Sequence, residues 1–462
     1  MRKQRLSFVL AVVAAVLSAS LWAEDVTINY DSYAKAVRPE LHGAAFAPRL
    51  RTLGTHSDIT ELLRDLNLAH CRTHDLSLHD GGMRVIDIHH IFPLMSRDPE
   101  DATAYDFRAT DALIAAITNC GMKIVYRLGN SIENPASKVE GYPHYNHTVS
   151  SSEYATYASV MSHIIAHYNE GWANGHHMNI EDWEIWNEPD NGATCWGGTQ
   201  AEFNEFFATC VKKIKGDNHP GVRVGGPGLT GWNPSWINGL LTACQTKGVT
   251  PDFISYHNYN VSTAAKPSGI LGNATKAAVS NLPIYLNEWH YLTNWNGWKA
   301  GDMTTIQSGV YNVGALIYLS YSDVVDQAQY YGSGFEISYS LVDEATGAPN
   351  YPYYGLKMVG AVMKDFTKLY SRSAASEIYA LGAKNADETR GCALIADFRG
   401  SSASQTLTLA LNGVSNVSNM KVWRLSEGHR MEEVSVTSGT SLTLDKGVAG
   451  YGAFLVTFDI GQ

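Results

Sequence analysis

Residues 183–190 read WEIWNEPD. An apolar, aromatic run leads into Asn187 and Glu188 and stops at Pro189, a residue that removes a donor from a strand ladder. A greasy strand that ends in a carboxylate is the pattern of a barrel strand reaching its mouth. Seven other short apolar runs follow the same cadence, most of them closing on polar residues: LHGAAF (41–46), LAHCRTHD (68–75), KIVYRLG (123–129), VRVGGPG (222–228), DFISYHNY (252–259), PIYLNEWH (283–290) and ALIYLSYSD (315–323).

Amphipathic segments lie between these runs. Helices are expected over 57–67, 106–121, 151–171, 199–215, 234–247, 263–281, 303–314 and 352–368. Ser57 reads as an N-cap and Gly121 as a C-terminal stop. Tyr154, Tyr157, Met161, Ile164, Ile165 and Tyr168 fall on one helical face. Eight strands alternating with helices predict an α/β chain closed as a (β/α)8 TIM barrel. An open doubly wound sheet is disfavoured, because no G-x-G-x-x-G follows the first strand.

After about residue 368 the pattern changes. Short alternating runs with Gly, Ser and Asn turns predict a C-terminal antiparallel β-sandwich. The expected organisation is a signal peptide over 1–23, a catalytic barrel over 24–367 and the sandwich over 368–462. The run VTINYD (26–31) is a candidate extra strand for the sandwich, whose expected role is packing against the barrel.

The 462 residues are 45% hydrophobic and 17% charged, which predicts a folded core. The net charge of −11 and the lack of a basic cluster argue against nucleic acid as a partner. MRKQRLSFVLAVVAAVLSASLWAED has the basic start, apolar run and small residues of a secretory signal, so a secreted or periplasmic protein is expected. No later stretch is apolar enough to span a bilayer. The six cysteines do not form a disulfide framework, though Cys71 with Cys120, or Cys195 with Cys210, are candidate pairs.

In such a barrel, chemistry sits at the C-terminal ends of the strands. Those ends carry Arg72, His74 and Asp75; Asn187 and Glu188; His257 and Tyr259; Asn287, Glu288 and Trp289; Tyr321 and Asp323. Glu188 and Glu288 should face each other across the mouth. Paired carboxylates flanking a glycosidic bond are what its hydrolysis needs. Tyr and Trp are abundant, and Trp289, Trp295 and Trp298 are candidates for stacking on sugar, Trp289 first among them. A metal site built from His74, His79, His89 and His90 with Asp75, Asp80 and Asp87 is the rival chemistry. No H-E-x-x-H supports it, and a loop with satisfied histidines is preferred, so neither metal nor cofactor is expected.

The segments WEIWNEPDN and IYLNEWHY resemble the acid/base and nucleophile segments of clan A glycoside hydrolases. The nearest likeness is to glycoside hydrolase family 39, the β-xylosidase and α-L-iduronidase family. CRTHD resembles its R-x-H segment, FISYHNY its S-x-H segment and YSDVVDQ its S-D segment, while LVDEATGAPNYPYYGLK is similar to the stretch before the last helix. The resemblance implies Glu188 as acid/base and Glu288 as nucleophile of a retaining mechanism. It implies that Asn187 bonds the sugar 2-hydroxyl, that His74, His257 and Asp323 hold hydroxyls, and that Tyr259 touches the sugar or Glu288. Iduronidases have Lys where this chain has Tyr259, and an Arg after the last strand. Here no Arg occurs between Arg223 and Arg372, so a neutral sugar is implied. The expected partner is an oligosaccharide or polysaccharide. An endo-acting polysaccharide hydrolase and a non-catalytic carbohydrate-binding barrel are the alternatives to an exo-acting, β-xylosidase-like enzyme.

Overall fold

A computed structural model describes residues 25–45, 58–74, 85–130, 149–295, 301–332, 341–343 and 346–461. The expected signal peptide, Ser57, Asp75, His79, Asp80 and Trp298 lie outside them.

Eight parallel strands close into a barrel in chain order. After a first strand β1 (Val26–Ala36), they are β2 (Gly43–Ala45), β3 (His70–Arg72), β4 (Lys123–Leu128), β5 (Asp182–Ile185), β6 (Arg223–Leu229), β7 (Ile254–His257), β8 (Ile284–Trp289) and β9 (Gln327–Tyr331). Helices cover the outside: α1 (Thr60–Asp65), α2 (Ile88–Ile91), α3 (Arg108–Asn119), α4 (Tyr154–Glu170), α5 (Gln200–Asp217), α6 (Pro234–Thr246), α7 (Ile306–Tyr321) and α8 (Tyr351–Asp365). The apolar face anticipated on α4 is buried at all six positions. Thr199 caps α5 in a box with Glu202, and Gly171 ends α4 in a left-handed conformation.

Two segments depart from expectation. Residues 315–321 are not the eighth strand but the end of α7, Ser322 and Asp323 follow the helix, and β9 comes after them. Thirteen residues of α7 are buried, so its sequence is apolar on nearly every side. A helix of that kind carries no amphipathic period, and a short apolar run inside it reads like a buried strand. The region 263–281 holds two 3-10 turns, Pro267–Leu271 and Lys276–Val279, in place of a helix. All six cysteines are buried thiols, and neither candidate disulfide forms.

Nine strands make the second sheet, in the order β15-β14-β17-β12-β11-β10-β1-β13-β16. They comprise β1, β10 (Lys368–Ala374), β11 (Ile378–Lys384), β12 (Arg390–Asp397), β13 (Thr406–Asn412), β14 (Val417–Ser426), β15 (His429–Val434), β16 (Ser441–Asp445) and β17 (Gly452–Ile460). Every pairing is antiparallel except β1 with β13. Alternation assigns the two faces. Ala393 and Ile395 of β12 and Phe454 and Val456 of β17 join a core private to the sheet. Leu394, Ala396 and Leu455 join the barrel's core, so the sheet is packed onto the barrel.

Candidate active site

The barrel is filled by polar side chains in layers along its axis. Inward positions of a strand recur every second residue, and on β5 they carry Asp182 and Glu184. Asp182 accepts from the Tyr285 hydroxyl and the Gln327 amide, both at 2.9 Å, and pairs with Arg223 at 2.8 Å. One layer up, Glu184 accepts from Arg72 Nε and Ser255 Oγ, both at 2.5 Å, and from the Asn287 amide.

Glu188 tops this stack, and the chain is bent to put it there. Trp186 and Glu188 have φ of 79° and 46°, a left-handed region that costs non-glycine residues free energy. Anchors on both sides hold the turn. The Trp186 N–H donates to the Leu128 carbonyl at 2.6 Å, and its indole, packed against Trp196 and Phe206, donates to the Cys195 carbonyl at 2.9 Å. The Glu188 N–H donates to the Gly228 carbonyl at 2.9 Å. Gly228 has φ +62°, and a Cβ there would stand 3.0 Å from His257 and 3.2 Å from Arg72, so glycine keeps this wall of the site open.

Glu288 enters from β8. The pairings of β8 with both neighbours shift register between Leu286 and Trp289. This irregularity turns Asn287 and Glu288 inward in succession, as a bulge does. Both Glu288 oxygens are occupied. Oε1 lies 2.8 Å from Arg72 Nη1 and 2.7 Å from His74 Nε2. Oε2 accepts from the Tyr259 hydroxyl and lies 3.4 Å from His257 Nδ1. Burial pushes this carboxyl upward, but the charges of His257, His74 and Arg72 outweigh it and hold Glu288 well below the usual carboxylate range. Burial, then the Glu288 charge, pushes the Tyr259 phenol far up, so it stays a hydrogen-bond donor.

His257 joins the two carboxylates. Its Nδ1 also lies 2.8 Å from Glu188 Oε1, and the interacting atoms of Glu188, His257 and Glu288 all fall within 4.8 Å of one another. Burial disfavours the imidazolium, yet the charges of Glu288 and Glu188 raise His257 above its usual 6.5. Those donor atoms are close enough for a divalent cation, but Arg72 already supplies a buried positive charge to Glu288, which opposes one. Asn191 donates to Glu188 Oε2 at 2.9 Å. Asn187 accepts from Arg72 Nη2 at 2.8 Å, which turns its NH2 the other way.

Glu188, Glu288, Asn187, His74, His257 and Tyr259 thus come together as the sequence suggested. Asp323 does not. It follows α7 rather than ending a strand, its side chain is 90% exposed, and it pairs with Lys35 on the sheet side. Trp289 is also displaced: it is 1% exposed, in the core, edge-on to Tyr330 at 5.3 Å, with no face open to sugar. Among the described residues, the exposed aromatic beside Tyr259 is Trp295, 66% exposed and 5.9 Å from its ring. Of the rival metal cluster, His74 bonds Glu288, Asp87 pairs with Arg127 at 3.2 Å and His89 contacts the Tyr157 hydroxyl at 2.5 Å. Burial lowers His89 to about 3 and lowers His90 as well.

Sequence reasoning placed Arg72 at the mouth without giving it a role, and missed Glu184 as part of the site. Their signal is a charged residue at an inward position of a run that is otherwise apolar.

Three comparisons bear on this geometry. The model of glycosyl hydrolases family 39 matches residues 36–297. A β-xylosidase of Caldicellulosiruptor saccharolyticus is 26% identical over 215 residues, 42% of each chain. One from Geobacillus stearothermophilus is 30% identical over 104 residues, 22% of this chain and 19% of that enzyme. The chain therefore spans less than half the length of the curated relatives it matches. Among solved structures, a glucosidase from Croceicoccus marinus superposes with a TM-score of 0.75 at 19% identity, covering 95% of this chain and 99% of that one. A monomeric β-xylosidase from Caulobacter crescentus gives 0.69 at 15%, covering 95% and 100%. At these identities the structural likeness concerns the fold.

Proposed function

The chain belongs to glycosyl hydrolases family 39, and on that premise we propose that it hydrolyses the glycosidic bond of a neutral, xylose-like sugar with retention of configuration. The observation that carries the reading is the approach of Glu188 and Glu288 to within 4.8 Å through His257. Retaining enzymes hold their carboxyl groups about 5–5.5 Å apart, and inverting ones about 6.5–9.5 Å, to admit a water.

In the first step Glu188 gives its proton to the leaving oxygen, and a Glu288 oxygen attacks the anomeric carbon. The glycosidic bond breaks and a glycosyl ester forms on Glu288. In the second step Glu188 takes a proton from water, the water oxygen attacks the same carbon, and Glu288 leaves as a carboxylate. Four surrounding donors keep Glu288 ionised for its attack. Asn187, oriented by Arg72, offers its NH2 to the sugar 2-hydroxyl. A neutral sugar fits because each Arg72 nitrogen already serves a protein acceptor, and because the family resemblance puts Tyr259 where iduronidases have a lysine. The N-terminal pattern supports export from the cytoplasm as part of this proposal.

The test is a panel of aryl glycosides, with the anomer of the first-formed product read by NMR. Retention is expected with the wild type. Glu288→Gln should lower turnover by about 10⁴-fold or more. Glu188→Ala should spare activated aryl glycosides and lose about 10²–10⁴-fold on substrates with poor leaving groups. An inverted product, or near-normal turnover by Glu288→Gln, would overturn the assignment.

A further inference from the structure

A second cluster lies in the outer helical layer, on residues the hydrolytic site does not use. Asp111 in the first turn of α3, His167 in the last turn of α4 and His176 beyond it converge, with donor atoms all within 4.8 Å of one another. Asp111 Oδ1 is 3.1 Å from His167 Nε2 and 3.4 Å from His176 Nε2. Ligands about 2.0–2.1 Å from a tetrahedral zinc stand roughly 3.3–3.4 Å apart; Asp111 has that spacing to His176 and a slightly shorter one to His167.

The hydrogen bonding of His167 points the same way. Its Nδ1 lies 3.0 Å from the Trp172 carbonyl oxygen, so that nitrogen carries the ring hydrogen. In the neutral ring, Nε2 then directs a bare lone pair at the Asp111 carboxylate. Two acceptors face to face need a proton or a cation between them. A histidine whose far nitrogen donates to a backbone carbonyl is how proteins present imidazole to a metal. The ring is also fixed before any ligand arrives: it is buried and stacked on Phe107, with centroids 3.5 Å apart and planes at 4°. His176 is half-exposed and supplies an entry path.

We propose that Asp111, His167 and His176 bind a zinc-class divalent cation, with water as fourth ligand, as a structural clamp. The connection it closes, between α4 and β5, includes Ala173 and Asn174 at φ of 53° and 55°. A ligand bond to His176 holds that connection against α3 and α4, and this role is independent of the hydrolase reading.

The test is zinc alone, added to chelator-treated full-length protein. One Zn²⁺ per chain is expected by equilibrium dialysis, with a rise in Tm of at least about 2 °C at saturation. Co²⁺ should give tetrahedral visible bands. His176→Ala and Asp111→Asn, checked for native circular dichroism, should lose both the stoichiometry and the shift. Glu288→Gln, which alters the other cluster of close donors, should keep both. Absence of a zinc-dependent shift in the wild type would overturn the proposal, as would undiminished binding by both His176→Ala and Asp111→Asn, or loss of binding by Glu288→Gln alone.

Discussion

One imidazole nitrogen, Nδ1 of His257, contacts both candidate catalytic carboxylates, at 2.8 Å from Glu188 and 3.4 Å from Glu288. The contact couples the site to pH from two sides. His257 is raised in the folded state, so its contribution to stability is full below its unfolded value near 6.5 and is lost as pH climbs through the higher folded value. Glu288 is depressed, so its contribution is full above its unfolded value near 4.5 and is lost as pH falls through the lower folded value. Tm should therefore be highest between about pH 4.5 and 6.5, as far as these groups set it, and should decline on the alkaline side. His257→Gln should flatten that alkaline decline; melting curves from pH 5 to 9 that keep the wild-type slope in the variant would contradict this account.

Tyr259 donates to the Glu288 oxygen that His257 also approaches. Removing the hydroxyl in Tyr259→Phe takes one donor from a buried carboxylate, and bonds to charged groups are worth about 1.5–3 kcal/mol. We expect kcat/KM to fall about 10- to 100-fold with the fold intact. Loss of a donor also raises the carboxyl pKa, so the acid limb of the kcat/KM profile should move to higher pH. A lowered rate with an unmoved acid limb would assign Tyr259 to the sugar instead of to Glu288.

How much of this was legible in the sequence depended on whether a residue announced itself locally. Seven of the eight barrel strands did, as short apolar runs, most of them closing on polar residues. The eighth did not, because α7 is buried nearly all round and its apolar stretch displaced the strand assignment onto 315–323. That one shift misplaced Asp323. Trp289 failed for a different reason: the register irregularity in β8 turns two consecutive residues inward, and simple alternation cannot say which neighbour faces out. Arg72 and Glu184 meet only because β3 and β5 face one barrel axis, a long-range fact that no window of sequence contains.

That meeting has an energetic consequence. Arg72 is fully buried and serves Glu184, Glu288 and Asn187. Arg72→Met leaves Glu184 as a buried charge without its cation, which costs about 3–5 kcal/mol. Adding Glu184→Gln removes the stranded charge, so the double variant should recover a substantial part of that loss in urea unfolding, although Glu288 still lacks its guanidinium. Additive destabilisation by the two changes would show that the pair is not coupled.

Asp323 supplies the opposite case. Its partner is Lys35, and a pair with one member 90% exposed contributes little, about 0–1 kcal/mol. Asp323→Ala should leave kcat and KM on an aryl glycoside unchanged and shift stability by about 0.5 kcal/mol or less. Trp289→Ala should instead cost about 3–5 kcal/mol, because it empties a buried indole site beside Tyr330. The informative comparison is KM at constant fold. A rise in KM for Asp323→Ala, with unchanged melting, would return that carboxylate to the sugar and contradict its position on the sheet side of α7.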